Sequence, residues 1–309
     1  MTAVEIESVT KTFAGHRAVD DLSLRVPSGC TYGFIGPNGS GKTTTLRMIM
    51  RILLPDRGRL RVLGEERLAA ATERVGYLPE ERGLYRKMKV RPLLRFFGEM
   101  KSGRDVRGEV DAWLERFELT AWADKKVEAL SKGMSQKVQF ISAVVSRPEL
   151  LILDEPFTGL DPVNVDALRE AVLELRAGGS TVIFSTHDMA AAERMCDFIF
   201  MIYRGRKVLD GTLREIQDRY GSDTVRLKIE GGAGALRGLA GVAEVRNHGR
   251  FQELHLAPGA DAQALLGAIL GRTGVRHFEL GKPSLHDIFV RIAGPEAAAA
   301  APEPEEAPA

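Results

Sequence analysis

Residues 34–50, "FIGPNGSGKTTTLRMIM", place a glycine-rich bend between an apolar strand and an apolar helical run. The bend has the pattern G-x-x-x-x-G-K-T at residues 36–43, and the preceding "TYGFIG" is typical of a short buried strand. After it, apolar residues recur at helical spacing, at Leu46, Ile49, Met50 and Leu53. Glycines let successive backbone N–H groups point inward, and a helix N-terminus adds partial positive charge. The stretch therefore predicts a phosphate-binding loop.

Within this loop, Lys42 is expected to reach the β- and γ-phosphates of a nucleotide, and the Thr43 hydroxyl is expected to bind Mg²⁺. A dinucleotide-binding loop fits less well, because Gly36, Gly39 and Gly41 are not spaced G-x-G-x-x-G and a lysine follows directly. Taken alone, the pattern is also compatible with an ordinary glycine-rich turn between a strand and a helix that binds no phosphate.

Length and composition exclude several classes of protein. The 309 residues are enough for two domains, and 44% hydrophobic with 28% charged residues is ordinary for a globular protein. A net charge of +1 gives no overall basic field for nucleic acid, and two cysteines are too few for a disulfide framework. No apolar run approaches the roughly 20 residues of a membrane-spanning helix, and no signal-peptide pattern opens the chain. We therefore expect a cytoplasmic chain that meets a membrane only through a partner.

The pattern along the chain predicts two domains. Residues 1–218 alternate strand-like and helix-like segments, which indicates an α/β domain with a largely parallel sheet, and residues 81–147 form a helical subdomain within it. Residues 222–292 follow the order β-α-β-β-α-β, with a small first helix near 235–240, which predicts a ferredoxin-like α+β domain. Residues 293–309 are rich in Ala, Pro and Glu and are expected to form a disordered acidic tail.

Two further buried strands end in polar side chains. "LLILDEP" ends at Asp154 and Glu155, which cannot share one role on a continuous strand, because neighbouring side chains point to opposite faces. We expect Asp154 to hold Mg²⁺ and Glu155, just past the strand, to polarise the water that attacks the γ-phosphate. A strand-end turn is the alternative. "TVIFSTHDM" places His187 where an imidazole could reach the γ-phosphate.

These segments, taken together, resemble the nucleotide-binding subunit of an ATP-binding-cassette (ABC) transporter over about 215 residues. "GPNGSGKTT" resembles Walker A, "LLILDEP" Walker B, "GLDP" at 159–162 the D-loop, His187 the switch histidine and "ALSKGMSQKVQF" the signature motif. The resemblance implies a P-loop NTPase (RecA-like) core with antiparallel β and helical subdomains. It also implies an ATPase that uses ATP and Mg²⁺ and sandwiches ATP head to tail between two such domains.

The resemblance further implies a role for individual residues. The expected nucleotide contacts are Phe13, Gly36, Pro37, Asn38, Gly39, Ser40, Gly41, Lys42, Thr43, Thr44, Glu80, Ser131, Gly133 and Asp161. The expected metal ligands are Thr43, Glu80 and Asp154, and the expected catalytic residues are Glu155 and His187. Phe13 would stack on adenine, unless it is an ordinary core phenylalanine. Ser131 and Gly133 would reach the γ-phosphate held by the partner's P-loop, and Asp161 would couple the two sites.

The chain departs from the family pattern at two places. Lys132 and Met134 stand in the signature motif where the family usually has a glycine and a glutamine. Glu80 stands where the family usually has the Q-loop glutamine. The Glu80 carboxylate can still ligate Mg²⁺, but it also repels the γ-phosphate. We expect both departures to affect the hydrolysis rate more than ATP binding.

The C-terminal segment "KPSLHDIFVRI" resembles the end of an extra domain attached to many ABC-2-type export ATPases. We therefore predict the ATPase subunit of an exporter, a homodimer or pseudo-dimer attached to the inner face of the cell membrane by a separately encoded transmembrane permease. The basic run at 81–107 is either the permease contact or a solvated face. The histidines of the second domain lack ligand spacing and are expected to be structural; they are His248, His255, His277 and His286.

Two other functions remain open from the sequence. A soluble ABC protein acting on ribosomes or nucleic acid is the first, although such relatives usually carry two cassettes or an inserted coiled coil or zinc site, and no nucleic acid partner is expected. A P-loop kinase is the second, and the signature stretch disfavours it.

Overall fold

The computed structural model describes residues 1–66, 72–81, 83–221, 224–230, 233–247, 249, 251–257 and 259–294. The described part divides into two compact units, the first running from Met1 to Leu213 and the second beginning at Arg214. Of the acidic tail expected at 293–309, only residues 293 and 294 are described. His248 also lies outside the described residues.

A six-stranded sheet forms the centre of the first unit, in the order β5-β6-β7-β3-β8-β9. Its strands are β3 (Thr31–Ile35), β5 (Val75–Leu78), β6 (Leu150–Asp154), β7 (Thr181–Thr186), β8 (Phe198–Tyr203) and β9 (Arg206–Thr212). All neighbouring pairs are parallel except β8 and β9, which run antiparallel. The predicted α/β class with a largely parallel sheet is confirmed.

A separate three-stranded antiparallel sheet, in the order β2-β1-β4, accompanies the central one. It consists of β1 (Thr2–Phe13), β2 (His16–Pro27) and β4 (Arg57–Val62). Apolar residues of this sheet, such as Val4 and Ile6, share a buried cluster with Phe34 of β3 and Ile152 of β6. The antiparallel sheet therefore packs on one face of the central sheet.

Most helices of the first unit cover the other face of the central sheet, whereas Leu46, Met48 and Ile49 of the first helix belong to the cluster shared with the antiparallel sheet. The helices of the first unit are α1 (Lys42–Ile49), α2 (Val90–Ser102), α3 (Arg107–Arg116), α4 (Lys132–Val144), α5 (Pro162–Ala177) and α6 (Met189–Met195). Leu151 and Leu153 of β6 share a second cluster with residues of α2, α3, α4 and α5, whereas Leu150 and Ile152 lie in the first cluster. The strand is thus buried on both faces, which explains its uninterrupted apolar sequence.

Among the described residues, the second unit contains an antiparallel four-stranded sheet and three helices. Its elements are α7 (Leu213–Tyr220), β10 (Thr224–Ile229), β11 (Val242–Asn247), β12 (Gln252–Leu256), α8 (Ala262–Leu270), β13 (Val275–Gly281) and α9 (Leu285–Ala293), with strand order β11-β12-β10-β13. This order agrees with the predicted ferredoxin-like domain. The helix expected near 235–240 was wrong: the segment forms a single 3₁₀ turn at Ala233–Leu236, because glycines 234 and 238 disfavour a longer helix.

No helix in the described ranges is both long and apolar enough to cross a membrane.

Candidate active site

The candidate site lies at one edge of the central sheet, where four neighbouring parallel strands end. In sheet order, β5 leads to Glu80, β6 to Asp154 and Glu155, β7 to His187 and β3 to the P-loop. The carboxyl ends of parallel strands meet at the same edge of a sheet, where α/β proteins usually bind ligands. The strand order therefore brings together side chains that are up to about 150 residues apart in the chain.

The P-loop connects β3 to α1 as a tight bend. Gly41, at φ +109°, immediately precedes the helix, and a Cβ atom on it would lie 2.5 Å from the carbonyl oxygen of Ala18 on β2. The first N–H groups of α1 have no carbonyl one turn earlier to bond, so they are available to an anion. The side-chain oxygen of Ser40 is buried without a hydrogen-bond partner. The loop and the start of α1 therefore contain unsatisfied donors that a polyphosphate could bind.

Gly41→Ala is expected to lower the free energy of unfolding by about 2–4 kcal/mol, since it adds both left-handed strain and a clash with Ala18. Gly39→Ala is the matched control, because φ is +74° there but no atom lies within 4 Å of the added Cβ. It should lower the free energy by only about 1–2 kcal/mol. Urea denaturation measures both. Equal losses would show that the approach of Ala18 has no energetic effect.

Lys42 lies inside the P-loop and is 6% exposed. Its ammonium group donates to the carbonyl oxygens of Gly36, at 2.6 Å, and Pro37, at 3.2 Å, and its Nζ lies 3.7 Å from a carboxylate oxygen of Glu155. Burial lowers the pKa of Lys42, while the neighbouring carboxylates of Glu155 and Asp154 oppose that shift. A buried cation that holds only carbonyls and one carboxylate is well placed to bind an incoming phosphate.

Asp154 and Thr43 form a group that fits Mg²⁺. The Thr43 hydroxyl donates to Asp154 Oδ1 at 3.3 Å, and the Ser185 hydroxyl of β7 donates to the same oxygen. The other carboxylate oxygen, Oδ2, is buried and has no hydrogen-bond partner. A hydroxyl and a carboxylate with one unsatisfied oxygen are the hard oxygen ligands that Mg²⁺ prefers. The residues present therefore fit the ion that the sequence predicted.

Ser185→Ala tests how Asp154 is positioned, because it removes the hydroxyl that donates to Asp154 Oδ1. The same hydroxyl accepts a hydrogen bond at 3.1 Å from the Glu155 N–H. We expect a loss of about 1–3 kcal/mol in the free energy of unfolding, and a several-fold rise in the Mg²⁺ concentration that gives half-maximal ATPase activity. Ser23→Ala, on an exposed position of β2, is the control. An unchanged Mg²⁺ dependence in Ser185→Ala would show that Asp154 needs no support from β7.

Glu155 turns back toward the P-loop because the strand ends before it. Its φ is +49°, an unfavourable value for a non-glycine residue, and its N–H bonds the Ser185 carbonyl oxygen at 3.2 Å. On a continuous strand, the side chains of Asp154 and Glu155 would point to opposite faces of the sheet. Because the strand ends at Asp154, this alternation does not extend to Glu155. Both Glu155 carboxylate oxygens lie 3.1 Å from His187 Nδ1. The structure thus brings Lys42, Glu155 and His187 into one chain of polar contacts.

A cavity of about 190 Å³ opens beside the two carboxylates. It is lined by Leu78, Pro79, Glu80, Lys132, Gln136, Gln139, Asp154, Glu155, Pro156 and Thr158. Glu80 therefore shares a cavity with Asp154 and Glu155, and Lys132 brings a positive charge to the same space. The Lys132 ammonium group lies against Gly159, where an added Cβ would be 2.6 Å from Nζ. Glu80 and Lys132, one residue from each departure from the family pattern, thus border the same cavity.

Gln136 and Gln139 also line this cavity, and the sequence did not lead us to predict a place for either in the site. Both are buried on α4; Gln136 donates to the Pro156 carbonyl, and Gln139 donates to the Glu81 carbonyl at 3.2 Å. Polar residues inside an otherwise apolar helical stretch were the available signal.

The signature motif and the D-loop meet at the starts of two helices. Ser131 caps α4 by accepting from the Met134 N–H, and Asp161 caps α5 by accepting from the Asn164 N–H at 3.0 Å. These Asn164 hydrogen bonds hold the pKa of Asp161 below its usual value. A Cβ on Gly133 would lie 2.9 Å from Asn164 Nδ2, so Gly133 must stay small for α4 and α5 to approach.

Phe13 lies at the end of β1, next to the turn into β2, and is 42% exposed. The Lys11 ammonium group is 5.5 Å from its ring centroid. Its exposure rules out the core-phenylalanine alternative. Ala18, on the same hairpin, lies against Gly41, so the hairpin borders the P-loop.

Comparisons with known proteins agree with this geometry. Residues 19–158 match the family model described as ABC transporter, and residues 211–293 match the model described as ATP-binding protein DrrA1-3-like, C-terminal domain. The chain is 42% identical to an uncharacterized ABC transporter ATP-binding protein, YhaQ, of Bacillus subtilis, over 94% of this chain and 98% of that one. It is 36% identical to the Nod factor export ATP-binding protein I of Cupriavidus metallidurans, over 96% and 99% of the two chains.

A solved structure described as the ATP binding subunit of an ABC transporter is also similar. Its TM-score is 0.67 at 33% identity, over 71% of this chain and 94% of that chain. The predicted resemblance is confirmed: the chain belongs to the ATP-binding proteins of ABC transporters, which are ATPases with a P-loop NTPase fold.

Proposed function

We propose that this protein powers a membrane exporter by binding ATP between two copies, closing on it, and reopening after hydrolysis. One observation carries the proposal. The P-loop lysine, the Asp154 and Glu155 carboxylates and His187 meet at one sheet edge, in a chain that aligns along 96% of its length with a Nod factor export ATP-binding protein.

ATP binding rests on the P-loop. Lys42 would exchange the carbonyl oxygens of Gly36 and Pro37 for the β- and γ-phosphate oxygens, which are charged and therefore better acceptors. Thr43 and Asp154 would hold Mg²⁺, which neutralises phosphate charge when bound. Phe13 would stack on the adenine from the neighbouring hairpin.

Hydrolysis rests on Glu155 and His187. We assign Glu155 as the group that orients the attacking water and accepts its proton, because this buried residue lines the cavity and its carboxylate lies 3.7 Å from Nζ of the P-loop lysine. His187 contacts both carboxylate oxygens through Nδ1, which leaves Nε2 for the γ-phosphate. Glu80 borders the same space as a third carboxylate and is assigned as an Mg²⁺ ligand, directly or through water.

Dimer closure rests on the signature motif and the D-loop. Ser131 is exposed at the N-terminus of α4, where backbone N–H groups and the helix dipole favour an anion, and Asp161, exposed at the N-terminus of α5, would couple the two sites. ATP held by one copy would supply that anion to the other. Hydrolysis would remove the charge that holds the two surfaces together, and the dimer would open.

Docking to a permease rests on an exposed surface of the helical subdomain. We call Tyr85, Phe96, Phe97 and Met100 the aromatic patch; Tyr85, Phe96 and Met100 are 56%, 46% and 59% exposed. Tyr85 stacks on Phe97, with ring centroids 6.1 Å apart, and Phe96 meets Phe97 edge-on at 5.6 Å. Exposed apolar patches of this kind mark interaction sites. Such a surface would hold this chain on the inner face of the membrane.

The experiment is capture of the partner in the native host. We would tag the Glu155→Gln variant, solubilise membranes gently with Mg·ATP present and identify the bound proteins by mass spectrometry. We expect recovery of an integral membrane protein in near-equal amount. Recovery of ribosomal proteins instead would favour the soluble ABC alternative.

A surface variant tests whether the aromatic patch is the part of the chain that binds the membrane protein. Phe96→Glu in the Glu155→Gln background should lose the membrane protein and keep ATP binding, because it places a charge in the aromatic patch away from the nucleotide. Leu270→Glu, which charges a 58% exposed leucine of α8, is the control and should keep both. Unchanged recovery with Phe96→Glu would move the docking surface elsewhere.

A further inference from the structure

A second cluster of ligand-type side chains lies in the C-terminal domain, in the unit that begins at Arg214. Glu253 and His255, two residues apart on β12, point to the same face of the sheet, and Asp287 in the first turn of α9 faces them. All three are buried, with exposures of 5%, 8% and 8%. One oxygen or nitrogen atom from each lies within 4.8 Å of the others.

The inner atoms of the cluster face one another at a ligand-like separation. Glu253 Oε1 lies 3.5 Å from His255 Nε2, and Nε2 is buried without a hydrogen-bond partner. Ligand atoms around a tetrahedral metal, at bond lengths of about 2.1 Å, are about 3.4 Å apart. A buried, unsatisfied imidazole nitrogen costs free energy that a bound cation would recover.

The outer atoms of the same side chains are held by neighbours. His255 Nδ1 lies 3.4 Å from the Thr224 hydroxyl, and when Nδ1 donates there, the Nε2 lone pair faces the carboxylates. Arg226 donates to Glu253 Oε2 at 3.4 Å. Ser284 donates to Asp287 Oδ2 through its N–H and hydroxyl. Metal ligands are typically oriented by such outer hydrogen bonds.

The local charge leaves room for a cation. Arg246 pairs with Asp287 at 3.2 Å and with Glu244 at 3.0 Å, while Arg226 pairs with Glu253. Three carboxylates thus share two guanidinium groups. The cluster carries an excess negative charge beside the His255 imidazole.

We propose that Glu253, His255 and Asp287 form a binding site for a divalent transition-metal ion of the zinc type. One imidazole nitrogen and two carboxylate oxygens suit Zn²⁺, whereas an imidazole disfavours Mg²⁺ and Ca²⁺. The ion would join β12 to the first turn of α9, so that metal binding stabilises the C-terminal domain. Neither histidine spacing nor the family motifs indicate this site, because Asp287 comes 32 residues after His255.

The test is Zn²⁺ titration of the full-length chain, stripped with a chelator, freed of any affinity tag and kept in excess Mg²⁺ to occupy the ATP site. A chromogenic competitor for Zn²⁺ reports affinity. We expect one tight site per chain, weakened at least tenfold in His255→Gln and in Glu253→Gln. His277→Gln is the control, since His277 pairs with Glu279 on an exposed part of β13 and should bind like wild type.

Two further measurements distinguish loss of the metal site from a variant that fails to fold. Zn²⁺ should raise the Tm of the wild-type and His277→Gln chains and leave the Tm of His255→Gln unchanged. Co²⁺ added to the wild type should give the visible absorption of a four- or five-coordinate site. Equal weak binding by wild type and His255→Gln, with no Tm shift, would overturn the proposal and identify the cluster as a network of ion pairs and hydrogen bonds that holds no metal.

Discussion

Lys42→Ala should abolish ATP binding at physiological nucleotide concentrations. The lysine is the buried cation of the P-loop, 3.7 Å from Glu155 and already hydrogen-bonded to two loop carbonyls. Truncating one partner of a buried charged contact typically costs about 2–5 kcal/mol, which corresponds to an affinity loss of about thirtyfold to several thousandfold. Loss of the lysine also leaves Glu155 facing the γ-phosphate without a countercharge, which adds repulsion.

The measurement is the Kd of a fluorescent ATP analogue with Mg²⁺ present. Lys207→Ala is the control, because Lys207 forms a surface pair with Asp210 and should bind as wild type does. A melting curve shows whether Lys42→Ala remains folded. A folded Lys42→Ala chain that binds ATP within threefold of wild type would remove the P-loop from the site we assign.

Glu155→Gln should retain ATP binding and lose hydrolysis. The amide keeps the shape of the carboxylate but cannot accept a proton from water. Removing a general base typically lowers the rate by about 10²–10⁴-fold. Because Gln is neutral and Lys42 remains in place, the Kd for ATP should stay equal or fall.

Steady-state phosphate release and equilibrium ATP binding, measured on the same preparation, separate the two effects. Glu170→Gln makes the same chemical change at an exposed position of α5 and should leave both values unchanged. If Glu155→Gln turned over ATP at close to the wild-type rate, another group would have to accept the proton, and Glu80 would be the first to examine, since it borders the same cavity.

The fold was predictable where local patterns are strong. The three strands singled out in the sequence, in "TYGFIG", "LLILDEP" and "TVIFSTHDM", are present as β3, β6 and β7, because buried parallel strands are apolar runs bounded by polar residues. Helix α5 was not singled out, although Asp161 followed by Pro162 is a clear start signal. Helix α6 is a single short alanine-rich segment with little periodicity to detect.

The strand order and the turn at Glu155 could not be predicted from sequence alone. Residues 154–155 and 187 are neighbours because β6 lies beside β7, and β7 in turn lies beside β3, which leads to the P-loop; sequence spacing does not reveal that order. Glu155 has a left-handed φ, and its N–H donates to Ser185, a residue of another strand. The family resemblance supplied the expected roles, and the structure supplies the distances between the groups.

The second domain shows the same limit. The pattern Glu253-x-His255 on a strand was visible, but its partner Asp287 comes from a helix 32 residues later. Only the packing of α9 on the sheet brings the three together, so histidine spacing alone predicted a structural role.

The central claim is that ATP holds two copies of this chain together, and one measurement tests it directly. Light scattering coupled to size-exclusion chromatography gives the mass of Glu155→Gln with and without millimolar Mg·ATP. We predict a monomer of 33.9 kDa without nucleotide and twice that mass with it. Adding Ser131→Arg, which blocks the signature face, should restore the monomer. A chain that binds ATP yet stays monomeric at every concentration would contradict the account.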